Sequence, residues 1–126
     1  MIGSSETGGS MGITNALAGL AVEDIGIAMA FYERLFGRPA DARPMSEVAE
    51  WKFATGGWVQ VFTDADRAGA SLVTLIVDDL AETLEDLSTQ GILPVAKRSG
   101  DFAKTAIFRD PDGNQLVFSQ TLRNTY

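Results

Sequence analysis

Apolar residues along this chain follow two spacings in turn, and the same succession of spacings occurs twice. Residues 13–22 have the composition of a β-strand, and from 25 to 36 the apolar side chains recur every three or four positions, as on one face of a helix. Residues 72–77 again suit a strand, and an apolar stripe follows them up to Leu87. The pattern predicts that each half of the chain begins with a strand and an amphipathic helix.

The residues that bound the two predicted helices also repeat. Asp24 and Asp79 stand where a carboxylate caps a first turn by accepting backbone N–H groups, and Gly37 and Gly91 stand where a glycine ends a helix. Three matched pairs lie 55 positions apart, namely Leu17 with Leu72, Val22 with Val77, and Asp24 with Asp79. The sequence therefore predicts one structural unit duplicated in tandem.

Three more strands are predicted in each half. In the first half, Pro44 limits residues 40–50 to a loop or a short edge strand, and the alternating runs 51–53 and 58–62 flank Gly56-Gly57 as in a tight hairpin. In the second half, a short strand at 92–96 is interrupted by Pro94, and the strands 102–109 and 115–120 enclose a turn rich in Asp, Pro and Gly. The order is β-α-β-β-β twice. We expect one structural domain made of a first module at 12–66 and a second module at 67–126.

Composition narrows the chemistry that this domain can perform. The chain of 126 residues contains no His and no Cys, so it lacks the commonest transition-metal ligands and the usual nucleophile–base pairs. Residues 1–11 are rich in glycine and serine, and we expect a disordered leader or a remnant of expression there. Nothing functional is assigned to that segment.

Charge and hydropathy exclude two classes of partner. The formal net charge is −7, and the only local basic group is Lys97, Arg98 and Lys104, which we interpret as solvated loop and strand charge. Nucleic-acid binding needs a basic surface and is not expected. No apolar run approaches the roughly 20 residues of a membrane helix, so we expect no membrane partner and a cytoplasmic protein.

The doubled βαβββ pattern, together with the segment FYERLFG at 31–37 and DPDGN at 110–114, resembles the vicinal oxygen chelate superfamily. This group includes glyoxalase I, bleomycin-resistance proteins, fosfomycin-resistance enzymes and extradiol dioxygenases, and the resemblance covers residues 13–121. It implies an α+β fold in which two modules form a curled mixed sheet around a cavity, with the helices outside. One scaffold of this kind hosts several chemistries, so the resemblance indicates fold more strongly than function.

Members of this superfamily that use a metal hold it with residues of the first and last strands, often two histidines and one or two glutamates. The resemblance places Leu17, Leu72, Val117 and Gln60 at those four positions of this chain. Three aliphatic groups and one neutral amide cannot compete with water for a divalent ion. We therefore expect no metal site and no cofactor, and metal-dependent glyoxalase or dioxygenase activity is not expected.

Strand alternation predicts which side chains line the cavity. Positions of one parity should pack beneath the helices, and those of the other parity should face the cavity. The predicted ligand-binding residues, which are aromatic, aliphatic or uncharged polar groups, are Leu17, Trp51, Phe53, Trp58, Gln60, Phe62, Leu72, Thr74, Gln115 and Val117. Such a wall suits an apolar or aromatic ligand oriented by a few hydrogen bonds, although the aromatic groups could also be mere packing.

Three functions follow from this composition of the cavity. The leading hypothesis is a metal-independent protein, similar to bleomycin-resistance proteins, that binds a small apolar or aromatic ligand and forms a homodimer. A metal-free lyase or isomerase acting on a small carbonyl substrate is the alternative, and Glu47, Glu50 and Tyr32 are the groups it would use. A structural role with a filled cavity is the third. No catalytic residue is assigned, and the sequence leaves open whether the two modules pair within one chain or between chains.

Overall fold

The computed structural model describes residues 11–122, which form two four-stranded sheets that each carry one helix. The first module contains β1 (Leu17–Val22), α1 (Ile25–Phe36), β2 (Ala42–Met45), β3 (Val48–Lys52) and β4 (Trp58–Thr63). The second module contains β5 (Leu72–Ile76), α2 (Leu80–Thr89), β6 (Ala96–Ser99), β7 (Ala103–Arg109) and β8 (Gln115–Thr121). The predicted order β-α-β-β-β is confirmed in both halves.

Strand order is the same in the two sheets. In the first sheet it is β1-β4-β3-β2, and in the second it is β5-β8-β7-β6. The first strand of each module runs parallel to the last strand, while the other pairs are antiparallel. The sheets are curled but not closed, so the predicted α+β fold of two βαβββ modules is confirmed. Among residues 11–122, no helix is long and apolar enough to span a membrane.

Both helices begin and end at the residues that the sequence indicated. The Asp24 carboxylate accepts hydrogen bonds from the backbone N–H groups of Gly26 and Ile27, and Asp79 does the same for Glu82. These contacts satisfy donors that the first turn of a helix otherwise leaves open. Gly37 ends α1 with φ of 73°, a left-handed conformation that costs glycine little.

The two faces of each sheet differ in burial as the alternation predicts. We call the side that carries the helix the helix face and the opposite side the inner face. The residues of β1, β4, β5 and β8 with the parity opposite to the predicted cavity wall, together with Val77 just after β5, lie in the core or pack against it, namely Leu20, Val22, Val59, Val61, Val73, Leu75, Val77, Leu116 and Phe118. A single core therefore runs beneath both helices and joins the two modules.

A cluster of aromatic rings fills this core under α1. The Trp51 side chain is fully buried, its ring centroid lies 5.2 Å from that of Phe36 and 6.1 Å from that of Tyr32, and its indole N–H donates to the carbonyl of Arg38. Phe53 packs against Phe36 with centroids 5.5 Å apart. Such ring pairs stabilise the core beyond the area they bury.

The modules meet along the edge strands β1 and β5 through side chains. The backbone N–H of Ala21 donates to the Ser71 hydroxyl over 3.0 Å, and the Asn114 amide donates to the carbonyl of Ala21 over 2.7 Å. From the helix side, the Tyr32 hydroxyl donates to the Asp110 carboxylate over 2.7 Å. We call Tyr32, Asp110 and Asn114 the inter-module network.

Every member of the inter-module network is buried, and its polar side-chain atoms form hydrogen bonds. The Asn114 amide also donates to Asp110, and its carbonyl accepts from the N–H of Ser71. Asp110 in addition accepts from the backbone N–H groups of Asp112 and Asn114. Since buried polar groups cost stability only when they lack partners, this network stabilises the contact between the modules.

Strand bounds differ from prediction most clearly in three places. β1 begins at Leu17 rather than near residue 13, β3 spans Val48–Lys52 instead of 51–53, and β6 spans Ala96–Ser99 instead of 92–96. Pro94 explains the shift of β6, because proline has no N–H to donate to a neighbouring strand, so pairing starts where the N–H of Val95 reaches the carbonyl of Ile107. The predicted leader at 1–11 and the end of the second module at 123–126 lie almost wholly outside the described residues.

Candidate functional site

The inner face of the first sheet carries three rows of side chains that run across the strands. Cα pairing gives a central row of Gly19 on β1, Gln60 on β4, Glu50 on β3 and Ala42 on β2. A second row contains Ala21, Phe62, Val48 and Met45, and a third contains Leu17, Trp58 and Lys52. One polar row is thus flanked by two rows that each hold an aromatic side chain.

Glu50 and Gln60 form the polar centre of this surface. The Gln60 amide nitrogen Nε2 donates to the Glu50 carboxylate oxygen Oε2 over 2.7 Å. Glu50 is only 7% exposed, although it is an acidic residue on the face opposite the core. Within residues 11–122 its side chain forms no ion pair and no second hydrogen bond. A nearly buried carboxylate with a single neutral partner is unusual, because burial penalises the charged form.

The central row has no large side chain at either end. Gly19 leaves space for the Phe62 ring, whose atom Cε1 would lie 3.1 Å from a Cβ at that position. Beside Gln60 and Phe62 opens a cleft of about 450 Å³, which Met45, Glu47 and Val48 also line. A cleft of this volume lies within the usual range for small-molecule sites.

Two cations lie against the aromatic rings of this surface. The Lys52 ammonium Nζ lies 4.3 Å from the centroid of Trp58, and the Arg67 guanidinium Cζ lies 5.8 Å from that of Phe62. Both are within the range of a cation–π interaction, which is weak at exposed sites. Arg67 also pairs with Asp64.

The inner face of the second sheet is more open and combines aliphatic with polar side chains. Leu72 is 62% exposed and Ile76 is 48% exposed on β5, while Val117 and Ile107 lie beside them on β8 and β7. The polar members of this surface include Thr74, Gln115, Ser119, Thr105 and Arg109, and Gln115 is half-buried. Large exposed apolar side chains gathered on one face are typical of surfaces that bind another molecule.

The structure places the predicted ligand-binding residues on the inner faces, with two exceptions. Leu17, Trp58, Gln60 and Phe62 share the first sheet, and Leu72, Thr74, Gln115 and Val117 share the second. Trp51 lies instead in the aromatic core under α1, whereas Phe53 packs against that core and borders a cleft of about 350 Å³ that Leu17, Trp58 and Thr74 also line. The reason is the register of β3, in which Trp51 pairs with Val59, a residue of the helix face.

The groups named for metal-free catalysis are not brought together. Tyr32 is fully buried in the core and donates to Asp110, and its pKa is raised well above the usual range, first by burial and then by the charge of Asp110. Glu47 is exposed in the turn between β2 and β3. Only Glu50 lies on the inner face and is shielded from water. Its pairing with Gln60 is the feature that sequence reasoning missed, and strand alternation from a correctly placed Trp51 would have indicated it.

The positions that bind a metal in vicinal oxygen chelate proteins do not fit a divalent ion here. They hold Leu17, Leu72, Val117 and Gln60, and the Gln60 amide nitrogen faces Glu50. In the part of the chain that the structure describes, no group of three or more acidic residues is arranged to hold a metal. One amide oxygen and one carboxylate are fewer donors than Mg²⁺, Ca²⁺ or Zn²⁺ requires.

A second cleft of about 430 Å³ lies on the helix face of the other module. The start of α2, including Leu80 and Leu84, forms one wall, and Lys97, Arg98 and Lys104 lie along the other. The backbone N–H of Leu80 is already satisfied by the Gln120 side chain, and that of Glu82 by Asp79. All three cations are exposed, which agrees with their interpretation as solvated charge.

Comparison with known proteins identifies the family. Residues 15–118 match the model of the Glyoxalase/Bleomycin resistance protein/Dioxygenase superfamily. The chain belongs to this superfamily. The predicted resemblance is therefore confirmed over nearly all of the described residues.

Several solved structures have a similar fold. A glyoxalase/bleomycin resistance protein from Catenulispora acidiphila is 29% identical, with a TM-score of 0.80 over 86% of this chain and 98% of that chain. An antibiotic binding protein from Streptomyces sp. CB03234, TnmS3, is 21% identical, with a TM-score of 0.75 over 88% and 98%. A bleomycin resistance determinant encoded on transposon Tn5 is 24% identical, with a TM-score of 0.72 over 88% and 100%. No curated protein sequence matches the chain.

Proposed function

We propose that this protein binds a small, largely apolar or aromatic molecule between its inner faces, without a metal, and that it does so as a homodimer. The observation that carries the proposal is the contrast between the two faces of each sheet. Leu20, Val61 and Leu116 are buried beneath the helices, whereas apolar side chains of the same strands face outward on the inner face. Leu17, at 47% exposed, and Leu72 are the largest examples on the two edge strands.

The composition of the inner faces favours a ligand with a flat apolar body. Phe62 offers a half-buried ring at the cleft of about 450 Å³, and Trp58 offers another at a cleft of about 350 Å³ beside Leu17 and Thr74. The second sheet adds aliphatic groups such as Ile76 and Val117. A few polar groups among many apolar ones are typical of sites that bind and orient a small molecule. One structural relative is named as an antibiotic binding protein and another as a bleomycin resistance determinant, and these names support a ligand-binding role.

A homodimer would cover surface that a single chain leaves open. The inner face of the second sheet exposes Leu72 and Ile76 without any element of residues 11–122 above them. A second copy related by a two-fold axis would bury these groups and close the space around a ligand, since a two-fold contact uses the same patch on both subunits. The surface buried in such a contact would be apolar, and burial of apolar surface is the main source of the free energy of association.

Ligand binding is tested by thermal unfolding against a chemically broad set of aromatic and alicyclic compounds. A compound that binds the folded state raises the unfolding temperature as its concentration rises. At 100 times its Kd it adds about 2.7 kcal/mol to the free energy of unfolding. Phe62→Ala should abolish the shift, whereas Ile27→Ala, on the outer surface of α1, should not. The shift should persist in excess chelator. If no compound stabilises the protein, or if only metal-loaded protein binds, the proposal is wrong.

The homodimer is tested by analytical ultracentrifugation of two matched variants. Leu72→Asp places a charge on the inner face, and Ile27→Asp places one on a side chain of α1 that is almost as exposed, at 59% against 62%. We expect the first substitution to give a monomer and the second to leave the dimer intact. A wild-type protein that sediments as a monomer at high concentration would contradict this part of the proposal.

A further inference from the structure

We propose that Glu50 orients Gln60, and that the pair selects a ligand carrying a protonated nitrogen next to its apolar body. This inference rests on the proposed function and names the chemical class of its ligand. It starts from the 2.7 Å hydrogen bond between Gln60 Nε2 and Glu50 Oε2 on the inner face of the first sheet.

A carboxylate fixes the direction of an amide that binds it. An ionised Glu50 can only accept hydrogen bonds, so the NH₂ group of Gln60 must face it, and the Gln60 oxygen Oε1 must point away. Within the described residues, no group donates to that oxygen. Gln60 borders the cleft of about 450 Å³, so its amide is held where a donor on a ligand can meet it.

Charge favours a cationic donor over a neutral one. Glu50 has no basic partner within residues 11–122, and neither Lys52 nor Arg67 bridges to it, since Lys52 lies against Trp58 and Arg67 pairs with Asp64. A nearly buried carboxylate without a counter-charge attracts any cation that reaches it through a medium of low polarity. A protonated nitrogen that binds Gln60 Oε1 would supply that missing charge.

The rows on either side of the polar pair indicate the chemistry of the rest of the ligand. Phe62 and Val48 lie on one side of the polar row, and Leu17 and Trp58 lie on the other. The small residues Gly19 and Ala42 at its ends leave the polar pair as the only long side chains of that row. The geometry fits an aromatic or alicyclic amine whose ring lies on the apolar rows and whose nitrogen lies over the centre.

The test uses 2-naphthylmethylamine and 2-naphthylmethanol, which share one ring system and differ in the protonated nitrogen. Their Kd values are measured at neutral pH by calorimetry with wild type, Glu50→Gln and Glu47→Gln. Glu47 lines the same cleft but is exposed, so its substitution removes an equal charge without touching Gln60. The unfolding temperature of each variant is measured alongside.

We expect wild type and Glu47→Gln to bind the amine on the order of 10-fold more tightly than the alcohol, because a hydrogen bond from a charged donor is stronger than one from a neutral donor. Glu50→Gln should lose that preference and keep or raise its unfolding temperature, because an uncompensated buried charge is removed. A carboxylate with a purely structural role would instead lower the unfolding temperature and leave the preference unchanged.

The possible failures are distinguishable. If both probes bind wild type equally, or if Glu47→Gln and Glu50→Gln change the preference alike, the role of Glu50 is overturned while ligand binding stands. If neither probe binds wild type up to its solubility limit, this inference and binding of aromatic ligands at the inner face are both overturned.

Discussion

The two modules share one topology but differ in the side chains that fill their cores and cover their inner faces. The first module places a cluster of aromatic rings under α1 and a polar pair, Glu50 and Gln60, on its inner face. The second has a mainly aliphatic core, with one ring pair at Phe108 and Phe118, and an inner face that exposes the aliphatic side chains of Leu72 and Ile76 among polar ones. A duplicated backbone therefore does not imply duplicated function, because the inner-face positions change without altering the strand pairing.

The contact between the modules is also asymmetric, because the turn before the last strand contributes polar side chains in the second module only. Asp110 and Asn114, from the β7–β8 turn, bind Tyr32 and Ala21 of the first module. The matching turn of the first module, between β3 and β4, has Phe53 and Gly57 in the corresponding places, and neither carries a polar side chain. The inter-module network thus has no symmetric counterpart, and its loss is expected to affect the whole fold rather than one half.

The largest expected effect comes from truncating the core of each module in turn. Trp51→Ala and Phe108→Ala remove buried rings at matching positions of β3 and β7, and each should lower the free energy of unfolding by about 3–5 kcal/mol. Trp51 should cost more, because its indole N–H also binds the carbonyl of Arg38. Chemical denaturation followed by circular dichroism gives both values.

Cooperativity decides whether the modules are one folding unit. Because residues of both modules belong to one core, each variant should unfold in a single transition with an unchanged denaturant slope. Two separate transitions in either variant would contradict the shared core and show that the modules unfold independently.

The next effect concerns the inter-module network. Asn114→Ala leaves the carbonyl of Ala21 and the N–H of Ser71 without their side-chain partner and removes one of several hydrogen bonds to Asp110. Since each buried unsatisfied group costs about 1–3 kcal/mol, we expect a loss of roughly 3 kcal/mol or more. Tyr32→Phe should cost less, since Asp110 keeps its bonds from Asn114. The double variant should be more destabilised than the sum of the two, because only then does Asp110 Oδ2 lose both of its side-chain donors. Strict additivity would indicate that the network is not coupled.

Most of the fold was predictable from local patterns in the sequence. The caps at Asp24 and Asp79, the stops at Gly37 and Gly91, and the apolar parity of β1, β4, β5 and β8 all act over a few residues, so they could be identified without the structure. The family resemblance followed from the order of these elements.

The candidate site was predictable only where the register could be counted. A tight hairpin centred on Gly56-Gly57 would pair Trp51 with Phe62, but the observed partner is Val59, an odd shift that moves Trp51 to the helix face and Glu50 to the inner face. The inter-module network was not predictable either. Tyr32 and Asp110 are 78 positions apart, and no periodicity in the sequence relates them.

Alkaline pH provides a more gradual test of the same network. Burial, followed by the charge of Asp110, raises the pKa of Tyr32 above the value of about 10 that tyrosine has in an unfolded chain. Folding then opposes ionisation, so the stability from this group is complete below pH ~10 and decreases as the pH rises further. The slope approaches about 1.4 kcal/mol per pH unit.

Comparison of wild type with Tyr32→Phe isolates this dependence, because the chain has only one other tyrosine, Tyr126. The stability difference between the two proteins, measured by denaturation at a series of pH values, should shrink above pH ~10. A constant difference across that range would mean that Tyr32 reaches solvent in the folded state and is not held in the network.

The smallest effect on stability, and the one that sharpens the contrast between the inner faces, is expected for Gly19→Ala. The new methyl group would lie 3.1 Å from Cε1 of Phe62 and push that half-buried ring aside, while alanine fits a strand better than glycine. Since these terms oppose each other, we expect a change within about 0.5 kcal/mol. Binding of an aromatic ligand should weaken, because the ring leaves the edge of the cleft. Ala18→Gly, on the helix face of the same strand, should show the reverse pattern, with lower stability and unchanged binding. If both variants change binding equally, Phe62 does not contact the ligand.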